Sequence, residues 1–155
     1  MPVATSPDVE GILITVDAAP GGTPAGAPSP LGHMETFDNL HDKSRAVKKY
    51  TPMNNSQFDE IVAMGSLTNG PFSFSVLYDP EASEGVNKLE SAIDTNDEVQ
   101  IILELNNSLG VNGTKVTSLC KVSSFKVTGE KDGKFLASVS AEKIGNPTVT
   151  AASAV

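Results

Sequence analysis

Tryptophan is absent from this chain, and aromatic residues make up only 5% of its 155 positions. A monomeric β-sandwich that binds ligands by stacking needs an aromatic platform, and Tyr50 and Tyr78 alone do not supply one. There is one cysteine, Cys120, so no internal disulfide can form, which suits synthesis in a reducing cytoplasm. No apolar run approaches the ~20 residues of a membrane span, so no membrane partner is expected. The opening MPVATSPDVE has neither the basic nor the apolar region of an export signal. Positive charge is also scarce: no Lys or Arg precedes Lys43, and the formal net charge is -8. A protein that grips nucleic acid needs an extended basic surface to neutralise phosphates. This sequence lacks one.

The chemistry of catalysis is missing in the same way. No phosphate-binding loop, dinucleotide-binding glycine pattern or nucleophile elbow occurs. Cys120 sits in an alternating run beside Leu119 and Val122, with nothing near it in sequence to lower its pKa, and reads as a buried inert thiol. His33 and His41 lie in polar sequence without the spacing of a zinc site. Asp59-Glu60 and Asp97-Glu98 are adjacent carboxylates, which on a strand point to opposite faces and make poor acid–base pairs. The expectation is a non-enzymatic protein without metal or cofactor. Three Asn-x-Ser/Thr triplets, beginning at Asn54, Asn106 and Asn112, read as turns rather than glycosylation sites in a chain without an export signal.

What the chain does contain is alternation. VEGILITVD sets Ile12, Ile14 and Val16 on one side of a strand, and HMETFDNL fits a short second one. PFSFSVLYD places Phe72, Phe74 and Val76 opposite Ser73, Ser75 and Leu77. Asp79 and Pro80 then suit the N-cap and first position of a helix, whose apolar stripe is Ala82, Val86, Leu89 and Ile93. Gly85 inside that helix costs roughly 1 kcal/mol relative to Ala. EVQIILEL returns to strand, and Asn112-Gly113 signals a hairpin. The next run, TKVTSLCKVSSFKVTG, changes its apolar phase between Val122 and Phe125, which requires a bulge near Ser123-Ser124. Phe135, Ala137, Val139 and Ala141 complete the last strand. These elements predict a mainly β domain over 1–155, two packed antiparallel sheets in a sandwich or barrel, flanked by one α-helix.

Three segments fall outside that pattern. Residues 19–32 are rich in Pro and Gly and are expected to form a flexible loop or extended arm. Residues 38–70 have a blurred period and are expected to form a long loop, in which RAVKKYTPM extends briefly and FDEIVAMGS is strand or helical turn. Residues 146–155 are mostly small, with nothing to pack on alone, and read as a C-terminal arm. The loop also carries the tight basic cluster Lys43, Arg45, Lys48 and Lys49. In one reading the cluster is a solvated loop; in the other it docks on an acidic surface of an identical neighbour, because separated signs permit head-to-tail association.

The last strands, SLCKVSSFKVTGEKDGKFLASVSAEKIGNPT, resemble the C-terminal half of phage major tail tube proteins of the siphophage type. Val122-Ser123-Ser124-Phe125 and Gly145-Asn146-Pro147-Thr148 stand at two of that family's motifs, and Glu35-Thr36 leads into its long loop. FSFSVLYDPEASEGVNKLESAI is similar to its strand, Asp-Pro and helix unit. The resemblance spans most of residues 33 to 148, while the stretch Pro20 to Pro30 departs from it.

That resemblance implies a virion structural protein, made in the host bacterial cytoplasm, whose hexameric rings stack into a hollow tail tube. Its partners would be its own copies, the tail tip and terminator proteins, a tape measure protein inside the tube during assembly, and DNA in transit without tight binding. An acidic lumen would repel phosphate, with Glu104 and Glu142 as candidate lumen acids and the Lys43–Lys49 cluster as the inter-ring docking patch. The rival is the inner tube of a contractile injection or secretion machine, which moves protein.

Overall fold

The computed structural model describes residues 12–31, 34–39, 42–50, 61–79, 84–107, 110–129, 131 and 133–154. His33, His41, Asp59, Glu60, Pro80, Ala82 and the Asn54 triplet lie outside them.

Seven antiparallel strands form one sheet. In chain order they are β1 (Leu13–Ala19), β2 (Ser29–Pro30), β3 (Met34–Asp38), β6 (Phe72–Leu77), β7 (Glu98–Glu104), β8 (Lys115–Gly129) and β9 (Phe135–Thr150). Their spatial order is β2-β1-β7-β8-β9-β6-β3, and the sheet does not close into a barrel. The remaining strands, β4 (Ser44–Tyr50) and β5 (Ile61–Thr68), pair with each other as a separate two-stranded sheet. The helix α1 runs from Glu84 to Thr95. The expected mainly β fold, with two antiparallel sheets and one helix, is what the chain adopts.

The long hairpin β8–β9 organises the body. β7 pairs with the first half of β8, from Lys115 to Lys121, whereas β6 pairs with the first half of β9, from Leu136 to Ala141. Because β8 and β9 run antiparallel, those two partners lie at opposite ends of the hairpin. The register of β8 against β9 shifts between Val122 and Ser124, at the place where the apolar phase demanded it. The bulge lets Cys120 and Val122 on one side of it, and Phe125 on the other, all reach one core.

That core is the sum of the alternating faces. Ile14, Val16, Phe72, Phe74, Val76, Val99, Ile101, Leu103, Ala137 and Val139 are all buried, and α1 covers them with Val86, Leu89 and Ala92. Ile93 is half-buried at the edge of the stripe. Asp79 is not helical, residues 80–83 of the expected helix start lie outside the described residues, and α1 is described from Glu84. Gly85, a liability by helix propensity, packs against the chain: a Cβ there would lie 2.6 Å from the Pro30 carbonyl oxygen. Close approach of helix and β2 requires glycine here.

The Pro/Gly stretch follows a hydrogen-bonded path. The buried carboxylate of Asp17 accepts the N–H groups of Gly26 (2.8 Å) and Ala27 (3.4 Å), and Ala25 N–H donates to Ala18 O at 2.8 Å. Ser29 and Pro30 add β2 to the edge of β1, and Leu31 is fully buried in the core. Lys88 then holds the stretch from the helix side, donating to Ala27 O and to Ser29 Oγ. In a stretch expected to be a flexible loop or arm, Leu31 is the side chain that anchors to the core.

The hairpin signal Asn112-Gly113 falls inside a longer connection rather than at a two-residue turn. Asn112 bridges to Ser153, and Gly113 is buried beneath Leu105, where a Cβ would collide with the Leu105 carbonyl oxygen. The C-terminal residues 146–150 continue β9 beside β8, with Thr150 opposite Lys115.

Candidate assembly surfaces

The ribbon β4–β5 carries the basic cluster. It is joined to the body through two short connections, after Asp38 and before Phe72, and its strand pairing is entirely internal. Residues 43–49 are all exposed. Strand alternation puts Arg45, Val47 and Lys49 on one face and Lys48 on the other, with Lys43 just before the strand. The cluster, continuous in sequence, is therefore divided between two faces. A register shift between Arg45 and Val47 bends the ribbon, and Arg45 Nη1 donates to Gly65 O at 3.0 Å across it. Val47 is paired with Met64, and both are more than half exposed, at 52% and 57%. Among the described side chains of the ribbon none is buried, and a two-stranded ribbon alone is at best marginally stable in water.

The candidate lumen acids share one face of the seven-stranded sheet. Their neighbours in register fix this: Glu104 stands opposite Lys115, and Glu142 opposite Lys121, which in turn opposes Glu98. Six residues of β8 separate the two lysines, which puts the acids about 20 Å apart. Glu104 Oε1 accepts the Gly113 N–H at 2.9 Å, and Oε2 is 4.0 Å from Lys115 Nζ. Lys121 Nζ is 3.8 Å from Glu98 Oε1. These half-exposed pairs are worth little energetically, but they temper the acidity of the face. Glu142 is exposed.

A second surface was not singled out from sequence. At the other end of the same sheet Ser73 and Ser75 on β6, Ser138 and Ser140 on β9, and Ser124 on β8 come side by side. With Lys126 and Asp38 they line a shallow cleft of about 270 Å³. Ser73 and Ser140 hydroxyls are 3.1 Å apart, and Ser123 Oγ donates to Ser140 O at 3.0 Å. The signal was present in FSFSV and ASVSA as the polar phase of two strands. Only the pairing of β6 with β9 turned two rows into a surface.

Cys120 is fully buried, and burial pushes its thiol up to about 12, with Lys143 pulling down and Glu142 pushing further up. This matches the inert thiol read from sequence. Burial also lowers Lys143, against the opposing influence of Cys120 and Asp42. Among the described residues no group of three His, Cys, Asp or Glu side chains is arranged to hold a metal ion. No helix there is long and apolar enough to cross a membrane.

No protein-family model and no curated protein sequence matches this chain. Solved structures do. The tail of an empty gene transfer agent particle, determined with C6 symmetry, superposes with a TM-score of 0.68 at 11% identity, covering 94% of this chain and 100% of that one. A chain from the sheath–tube complex of an extracellular contractile injection system, PVC, gives 0.68 at 12% identity, with 96% and 94% covered. The SPP1 tail tube gives 0.66 at 10% identity, with 96% and 82% covered. The structural neighbours are thus tail-tube and contractile-injection proteins, and the chain has their fold.

Proposed function

We propose that this protein is a structural subunit whose hexameric rings stack into a hollow tube of a phage-type tail, through which the genome passes into the host cell. The observation that carries the reading is the combination of a fold shared end to end with tail proteins, one of them from a six-fold particle, and a basic ribbon with an apolar pair on its surface, whose strands pair only with each other. The reading involves no catalytic step. In it, Lys43, Arg45, Lys48 and Lys49 meet an acidic patch of the adjacent ring, and the ribbon's apolar pair Val47 and Met64 is buried there. Glu104 and Glu142 face the lumen, where negative charge keeps DNA from sticking.

The partners follow from the architecture. Stacked rings need a terminator at one end and a tail tip at the other, and solved neighbours include a tube-terminating cap and a baseplate. A tape measure protein would occupy the lumen during assembly in the host cytoplasm, and DNA would replace it in the finished virion. A second reading has equal structural support: the inner tube of a contractile injection machine, since anti-feeding prophage and PVC chains share the fold.

Negative-stain microscopy of concentrated protein tests assembly. Rings of six and open-centred tubes are expected, and persistent monomers under all conditions, with no ring in particles, would overturn the reading. Duplex DNA should show no measurable binding to assembled tubes at moderate salt, because phosphate contacts supply most non-specific affinity. A tight, salt-sensitive complex would rule out a repelling lumen.

A further inference from the structure

The ribbon leaves the body at a single root, and that root is fastened to one short stretch of β9. On the outgoing connection Asn39 has a left-handed backbone (φ 58°), and its side-chain Nδ2 donates to Pro71 O on the returning connection at 2.7 Å. The two feet of the ribbon are thereby tied to each other. Gly70 lies between them, and a Cβ there would collide with the side chains of Asn39 and Asp42.

Each foot is also tied to β9 by a different side chain. Lys143 Nζ donates to Asn39 O at 2.8 Å. Asn69 Nδ2 donates to Gly145 O at 2.8 Å. Gly145 has a positive φ of 73° and sits in the second register break of β9, where Leu119 opposes Ile144 and Thr117 opposes Thr148. Several β9 residues thus face a single β8 residue, and this frees the Gly145 carbonyl from the ladder to accept from Asn69. The irregularity in β9 is the receptor for the root.

We infer that Asn39, Asn69 and Lys143 are positioning residues that fix the direction in which the ribbon leaves the body. A ribbon none of whose described side chains is buried would otherwise swing about its two short connections. Fixing it before contact removes that ordering cost from docking. The positioning role stands on the root geometry; its consequence for stacking rests on the tube reading above.

The two levels are tested separately. Spin labels at Val47→Cys on the ribbon and Glu90→Cys on the exposed side of α1 report the ribbon's direction by pulsed dipolar spectroscopy on the monomer. Cys120 is buried and stays unlabelled. With the native root the distance distribution should be single and narrow. Asn69→Ala and Lys143→Met should each broaden it at least about twofold, while circular dichroism and the unfolding midpoint of the body stay close to those of the native chain. Distributions as narrow as the native one in both variants would overturn the inference.

Assembly then reads the consequence. If the correctly aimed ribbon is populated about one-tenth of the time in the variants, each contact weakens about tenfold, and the concentration needed for tubes rises accordingly. Broadened distances with unchanged assembly would overturn the link to docking. A native chain that never assembles would overturn the tube reading, and the distance measurement would still decide the positioning role.

Discussion

The seven-stranded body and the two-stranded ribbon are built from the same chain by opposite rules. In the body β6, β7 and the first half of β8 alternate strictly with one phase buried, and buried residues such as Val76, Ile101 and Leu103 are 2% exposed or less. In the ribbon residues 43–49 are all exposed, and its apolar pair Val47 and Met64 faces outward. The body is stabilised by its own burial. The ribbon is held by one ladder and by its root, which leaves its surface available for a neighbour. A region held by its root rather than by its own burial presents that surface with its direction already set.

The sharpest way to break this contrast is to truncate side chains in both regions. Leu103→Ala in the body should destabilise by about 2–5 kcal/mol, as expected when a large buried side chain leaves a cavity. Met64→Ala in the ribbon should stay within about 0.5 kcal/mol. Denaturant unfolding of the monomer measures both, and equal losses would mean that the ribbon has a core of its own.

Gly85→Ala probes the seam between the helix and the Pro/Gly stretch. Propensity alone would raise stability by roughly 1 kcal/mol. The 2.6 Å approach of a Cβ to the Pro30 carbonyl should reverse that sign and cost about 1–3 kcal/mol, as overpacking does. A more stable variant would show that β2 is free to move off the helix.

A smaller, pH-dependent effect comes from Cys120. Its folded-state pKa is raised from the ordinary 9.0 to about 12, so between those values the folded state retains a proton that the unfolded state has lost. Stability therefore falls as pH rises through that window. Lys143, lowered by burial, contributes with the opposite sign, and the comparison of native chain with Cys120→Ala reads the thiol together with its influence on Lys143. The native chain should lose stability more steeply than the variant above pH 9, measured by denaturant midpoints across the range. Parallel curves would mean that the thiol is less enclosed.

The smallest effect on folding should accompany the largest on assembly. Lys48→Glu with Lys49→Glu should leave the body's unfolding midpoint within about 0.5 kcal/mol yet impair stacking, because like charges would then meet. Since the two lysines lie on opposite ribbon faces, the single variants sharpen the result. The face whose reversal stops tube growth is the one that docks. Normal assembly of the double variant would return the cluster to a solvated role.

Much of the body was legible from sequence because burial leaves a periodic trace. The phase change between Val122 and Phe125 announced the bulge, and the run Val86, Leu89, Ile93 announced the helix face. The ribbon left no such trace. With residues 43–49 exposed on both faces, RAVKK has no reason to alternate, so a paired strand read as part of a blurred loop. Continuity in sequence does not fix a face: Lys48 and Lys49 are adjacent, and adjacency on a strand means opposite faces.

By itself, then, the sequence determined the elements whose pattern is enforced locally: the alternating strands, the amphipathic helix, the bulge, the inert cysteine and the surplus of negative charge. Tertiary structure alone decided what depends on residues distant in the chain. It placed Leu31 in the core and hung the Pro/Gly stretch on Asp17 and Lys88. It made Gly85 a point of contact, and it laid Ser73 and Ser75 beside Ser140 and Ser138. It also joined Asn39, Asn69 and Lys143 at one root. Each of these rests on a hydrogen bond, a strand pairing or a close approach across nine residues or more, and such contacts impose no period on the sequence from which they could be read.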